Sequence, residues 1–302
     1  MGYRQGNPKG PVLQNQRMLV ACLGCLAFGG VLAFFAKVQL GIQVIILFAV
    51  ALPAAALAFF VLLNGLPKTA KDSEATSTAP GGLGSFWMAG GLAVAAMTVF
   101  GFWPEFDLVV ARLFFSATGG YVGRTFFGEL GRSIGNILPF IVLAAYVLAW
   151  LANRLGLAIL FSPPGKNVVF LILAMATGPG LIVNLGMKDH LHRPRPTHVV
   201  EFGGSKAFRA FYQFDGGCIK NCSFPSGEAA EAFWMLAPAS LIPAPWRSLA
   251  IAGAFVFGTL VSLLRMAFGG HFLSDVTFAA LIMWALLLVL RRVLYSKPSD
   301  QR

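Results

Sequence analysis

The sequence predicts an all-α fold, a polytopic membrane helix bundle in which a six-helix core follows two further N-terminal transmembrane helices. Three observations predict it. Of 302 residues, 57% are hydrophobic and only 12% are charged, whereas a soluble domain carries about 25% charged residues. Apolar runs recur at close to the roughly 20 residues that cross a bilayer core. The charges lie mostly between the runs. Lipid is the expected solvent, and the length leaves no room for a large soluble domain.

Eight runs qualify or nearly qualify: 18–35, 43–63, 86–103, 134–151, 168–187, 229–242, 249–264 and 272–290. The first follows a basic stretch containing Gly and Pro. No small-residue cleavage site followed by a soluble domain comes after it, so a retained anchor is expected rather than a cleaved signal. Residues 66–85, LPKTAKDSEATSTAPGGLGS, have a linker's composition. They divide the chain into a two-helix extension (1–65) and the core (86–302). The sixth and seventh runs are short, with Pro238, Pro243 and Pro245 in or between them, which predicts a tight helical hairpin. No internal repeat is visible.

Loop basicity orients the bundle. With the N-terminus in the cytoplasm, Arg4, Lys9, Arg17, Lys68, Lys71, Arg154, Lys166, Arg247, Arg291, Arg292, Lys297 and Arg302 fall inside. Glu105, Asp107 and Glu129 fall outside. One basic loop, about 188–228, also falls outside against the rule, and phosphate binding would account for its charge. The net charge of +11 therefore points to anionic lipid or phosphate. Nucleic acid is not expected as a partner, because no basic stripe with interleaved aromatics occurs. Cys22 and Cys25 lie in an apolar run and read as small core residues. Cys218 and Cys222 lie in a polar loop, where a disulfide is expected if the loop faces an oxidising compartment. They lack nearby partner ligands for zinc, and no metal site is expected.

Three clusters, far apart in sequence, fall on the predicted outer face. They are Lys188-Asp-His-Leu-His-Arg-Pro-Arg195-Pro196, then Phe224-Pro-Ser226-Gly227-Glu228, then Arg265-Met-Ala-Phe-Gly-Gly-His271-Phe-Leu-Ser-Asp275. A phosphate monoester carries nearly two negative charges. Lys188, Arg195 and Arg265 could surround it, with Arg offering a planar fork to its oxygens. Ser226-Gly227 stands where a helix should begin, so amides and a hydroxyl can face an anion there. His271 is the candidate nucleophile. Asp275, one turn on, is expected to accept from one imidazole nitrogen and free the other. Glu228 is the candidate acid for the leaving oxygen if burial raises its pKa, or it stays ionised beside Arg and Lys. His190 and His192 read as neighbours, with substrate contact as the alternative.

Together the clusters resemble the three motifs of the type 2 phosphatidic acid phosphatase (PAP2) superfamily, K-x6-R-P, P-S-G-H and S-R-x5-H-x3-D. The resemblance covers the six-helix core. It implies a metal-free, cofactor-free lipid phosphatase that forms a phosphohistidine on His271 paired with Asp275. It also implies phosphate binding by Lys188, Arg195, Ser226, Gly227 and Arg265. Two positions depart from the pattern: Glu228 replaces the second-motif His, and Leu264 replaces the Ser before Arg265. Glu228, with Asn221-Cys222-Ser223 nearby, resembles the bacterial branch that includes lipid A phosphatases. The expected substrate is a lipid A-like lipid phosphate at the periplasmic face of a bacterial inner membrane. Undecaprenyl diphosphate, phosphatidate and phosphatidylglycerophosphate stand as alternatives, along with phosphoryl transfer to another lipid and non-catalytic lipid-phosphate binding.

Overall fold

The computed structural model describes residues 83–157, 161–243 and 246–295. The two N-terminal runs and residues 66–82 of the linker lie outside the described residues, while the last three linker residues, 83–85, begin a helix. Within the described residues the regular structure is nearly all helical: α1 (Leu83–Phe102), α2 (Phe106–Arg112), α3 (Phe126–Arg154), α4 (Gly165–Met175), a π-helical continuation of α4 (Ala176–Lys188), α5 (Gly227–Phe233), α6 (Leu236–Leu241), α7 (Arg247–Ala267) and α8 (Leu273–Tyr295), with a long irregular loop between the π segment and α5. A two-residue antiparallel pair, β1 (Phe115–Ser116) with β2 (Gly120–Tyr121), closes the turn between α2 and α3. Among the described residues five helices are long and apolar enough to cross a membrane, with the π segment counted as part of the α4 span.

Two runs differ from the sequence expectation. The run at 168–187 is a single span, but its second half widens into π geometry around Pro179. Proline has no N–H for the i→i−4 ladder and its ring crowds the preceding turn. Gly178 nearby lets α8 approach, since a Cβ there would lie 2.5 Å from the Met283 sulfur. The run at 229–242 is two short helices rather than one span. The break sits at Trp234–Met235, because Pro238 cannot donate to the Trp234 carbonyl, and Ala237 N–H takes that carbonyl instead at 2.7 Å. Trp234 itself is fully buried and donates from its indole to the Leu171 carbonyl. α5 and α6 pack on α7, as the predicted hairpin requires.

The alternation of long helices decides where the loops gather. The ends of α1, the π segment and α7 meet the starts of α3, α5 and α8 at one end of the bundle. All three sequence clusters lie there. The opposite end receives Arg154, Lys166, Arg247, Arg291 and Arg292. Small residues let the helices close up. A Cβ at Gly135 of α3 would stand 3.0 Å from Val261 of α7, and one at Gly258 of α7 would stand 2.5 Å from the Phe233 ring of α5. An aromatic cluster of Phe100, Phe106, Phe211, Phe224 and Phe278 packs α1, α8 and the long loop together beneath the clustered charges.

Candidate active site

The third cluster starts where α7 stops. Gly269 adopts φ +66°, the left-handed cap that glycine reaches without cost, and a Cβ there would lie 2.4 Å from the Tyr121 ring. Gly270 leaves room for the Arg265 guanidinium, whose Nη2 would be 2.5 Å from a Cβ. The chain then presents His271 and enters α8, so His271 and Asp275 share one face as their spacing predicts. Thr197 N–H donates to the Gly269 carbonyl and Ser226 N–H to the Asp275 carbonyl. These two bonds tie the first and second clusters to the third.

His271 is 1% exposed. Its Nδ1 lies 2.6 Å from the Ser223 carbonyl. A carbonyl can only accept, so Nδ1 carries the proton and Nε2 keeps a free lone pair. This corrects the expected partner: the Asp275 carboxylate stands 3.6 Å from Nδ1, behind the bond rather than in it. Burial holds the imidazole pKa down to about 4. Asp275 opposes that shift, while the nearby charges of Arg265 and Arg195 add to it. The ring is neutral across the physiological range, the state a nitrogen nucleophile requires.

Asp275 is fully buried and fully engaged. It accepts from Ser223 Oγ, from Phe272 N–H and from Arg193. Arg193, also fully buried, bridges Asp275 to Asp107 at 2.8 Å and donates to Ser274 and to the Arg209 carbonyl. Asp107 in turn accepts from Ser274 N–H and hydroxyl. Two carboxylates around one guanidinium, each with further hydrogen bonds, satisfy the condition under which charges are tolerated out of water. Sequence reading missed Arg193, Asp107 and Ser223. Asp107 reads as one more outer-face acid. Arg193 sits two residues before Arg195 inside the first motif's unspecified stretch.

The expected phosphate ligands gather at the same end. Lys188, Arg195 and Arg265 lie close enough for their charges to act on one another. Arg195 is aimed by Asn221, whose carbonyl and side-chain oxygen accept from its Nε and Nη2. Asn221 lies inside the short loop closed by a Cys218–Cys222 disulfide. Ser226 is fully buried and is the N-cap of α5, its hydroxyl accepting from Ala229 N–H. Gly227 sits against Asn184, whose oxygen would be 2.5 Å from a Cβ. His190 and His192 are exposed, and His192 Nδ1 bonds the Cys218 carbonyl.

Glu228 faces the cations. Arg132 of α3 grips both of its oxygens, Nε to Oε2 at 3.2 Å and Nη2 to Oε1 at 3.1 Å. Arg265 Nε lies 3.2 Å from Oε2 but out of line for a hydrogen bond. Burial works to raise its pKa, yet the Arg132 hydrogen bonds and the Arg265 and Arg132 charges outweigh it, leaving the carboxyl below its usual range. In the substrate-free site it is therefore a carboxylate. Glu231, one turn on in α5, goes the other way. Burial first, then the charge of Glu228, push it up to about 7 against the pull of Lys188. Among the described residues no three His, Cys, Asp or Glu side chains gather to hold a metal ion.

The chain is similar in sequence to known proteins over the region that carries the three clusters. The sequence pattern described as the PAP2 superfamily matches residues 167–298, which carry all three clusters. A Francisella tularensis subsp. novicida protein named lipid A 4'-phosphatase is 34% identical over 200 residues, 64% of this chain and 88% of that protein. Proteins of the same name from Rhizobium etli and Rhizobium leguminosarum are 32% and 31% identical. They are matched over 83% and 94% of their lengths and over 65% and 68% of this chain. No solved structure matches the chain.

Proposed function

Because this chain belongs to the PAP2 superfamily and is a multi-pass membrane lipid phosphatase of the metal-independent phosphoric monoester hydrolase type, we propose that it removes a phosphate from lipid A or a closely similar amphiphile through a phosphohistidine on His271. The site would face the periplasm from a bacterial inner membrane. The shared name of the three relatives supports the substrate and the 4′ position. The basic end opposite the site supports the orientation. One observation carries the mechanism: the Ser223 carbonyl accepts a hydrogen bond from Nδ1–H of a buried, neutral His271 and leaves Nε2 free to attack.

In the proposed cycle the phosphate lies among Lys188, Arg195, Arg265 and the Gly227 amide, because Ser226 N–H is already given to the Asp275 carbonyl. These donors stabilise the charge on the equatorial oxygens. Nε2 attacks phosphorus in line, the P–N bond forms, and the bond from phosphorus to the sugar oxygen breaks. Asp275 stabilises the positive charge that develops on the ring. Glu228 delivers a proton to the leaving oxygen. It acquires that proton when the phosphate's negative charge joins it among the cations, since a nearby anion favours the neutral acid. Water then attacks the phosphohistidine, Glu228 takes back a proton, and inorganic phosphate leaves.

The test is phosphate release by detergent-purified protein in EDTA from lipid A, undecaprenyl diphosphate, phosphatidate and phosphatidylglycerophosphate, with His271→Ala alongside. Release from lipid A that survives EDTA and is lost in the variant is expected. Release from another lipid alone overturns the substrate, and wild-type rates in His271→Ala overturn the mechanism.

A further inference from the structure

Arg132 belongs to none of the three motifs. It lies on α3, in the second turn, and reaches Glu228 across 96 residues of sequence. A carboxylate placed where the superfamily pattern has histidine faces a difficulty. Lys188, Arg195 and Arg265 are meant for phosphate, and an unanchored Glu228 would compete with phosphate for the same donors. Arg132 removes that conflict. Its fork takes one hydrogen bond to each carboxylate oxygen, which leaves Arg265 a single contact out of hydrogen-bond alignment. Arg132 is itself held on its other side. Glu129 Oε2 stands 3.8 Å from Nη1, and the Phe268 ring lies 6.0 Å from both the Arg132 and the Arg265 guanidinium carbons.

We propose that Arg132 is a positioning residue of this active site, holding Glu228 beside the phosphate pocket so that Arg265 stays available to phosphate and the carboxyl stays within reach of the leaving oxygen. The proposal rests on the reading of Glu228 as the group that protonates that oxygen. It makes Arg132 and Glu228 one unit that stands in for the superfamily histidine, so Glu228→His alone leaves Arg132 unpaired in a cationic site and does not improve the enzyme.

A double-mutant cycle tests it, using kcat/KM for lipid A and competitive inhibition by inorganic phosphate in purified full-length protein. Arg132→Ala is expected to lower kcat/KM about tenfold and to weaken phosphate inhibition severalfold, because the freed carboxylate then occupies Arg265. In a Glu228→Ala background the same change is expected to move neither quantity by more than about threefold, since Arg132 acts through a partner already gone. Losses that multiply in the double variant would overturn the proposal and assign Arg132 to the substrate or to the scaffold. Arg132→Lys keeps the charge without the fork and should fall between wild type and Arg132→Ala. If Arg132→Ala does not fold, the same cycle run with Arg132→Lys decides by the same criterion. Full activity of Glu228→Ala would instead overturn the acid assignment itself, and the inference with it.

Discussion

Replacing Asp275 by Asn removes one buried negative charge at almost constant volume. The Nδ1 hydrogen bond of His271 goes to the Ser223 carbonyl, so the ring keeps its tautomer and Nε2 stays free. What disappears is the attraction between the carboxylate, 3.6 Å from Nδ1, and the charge that the ring gains as the P–N bond forms. At an effective dielectric of about 20, a full unit charge at that distance is worth about 4.6 kcal/mol. Taking roughly half of that charge to have developed in the transition state gives about 2 kcal/mol. At about 1.4 kcal/mol per decade this is a fall in kcat of about 30-fold. The variant also loses stability, because Arg193 gives up one of its two carboxylates, but Asp107 remains to hold it. Single-turnover phosphate release, with thermal unfolding in the same detergent, measures both effects. An unchanged kcat would refute the electrostatic role. A loss as deep as that of His271→Ala in a folded protein would mean that the carboxylate, not the carbonyl, sets the tautomer.

The remaining predictions concern protonation. Carbon-13 NMR of labelled histidine should show one of the four imidazoles staying neutral down to about pH 4, and that signal should vanish in His271→Ala; a midpoint near 6.5 would contradict the burial argument. In Arg265→Gln a charge that disfavours the imidazolium is gone, so the midpoint should move to higher pH, and a downward move would contradict the geometry.

Much of the site was legible because the chemistry of phosphate restricts residue types. Lys188, Arg195, Arg265 and His271 announce themselves as charges at the edges of apolar runs, and the spacing of His271 and Asp275 puts both on one helical face. The partners that orient them were not legible. The acceptor for His271 is a backbone carbonyl, and any residue at position 223 would supply one. Arg193 and Asp107 read as ordinary membrane-edge charges until folding buries them against each other. Arg132 meets Glu228 only because α3 and α5 start at the same end of the bundle. The fold was readable by the same logic. Long apolar runs give helices, but the π widening at Pro179 and the break before Pro238 depend on which carbonyls lose a donor, which apolar content does not reveal.

The account stands most directly on the covalent intermediate. Rapid base quench of protein turning over lipid A labelled in its phosphate, followed by peptide mass spectrometry, should find label on the peptide carrying His271 and none in His271→Ala. Brisk phosphate release with no label on the protein, or label on another residue, would contradict it.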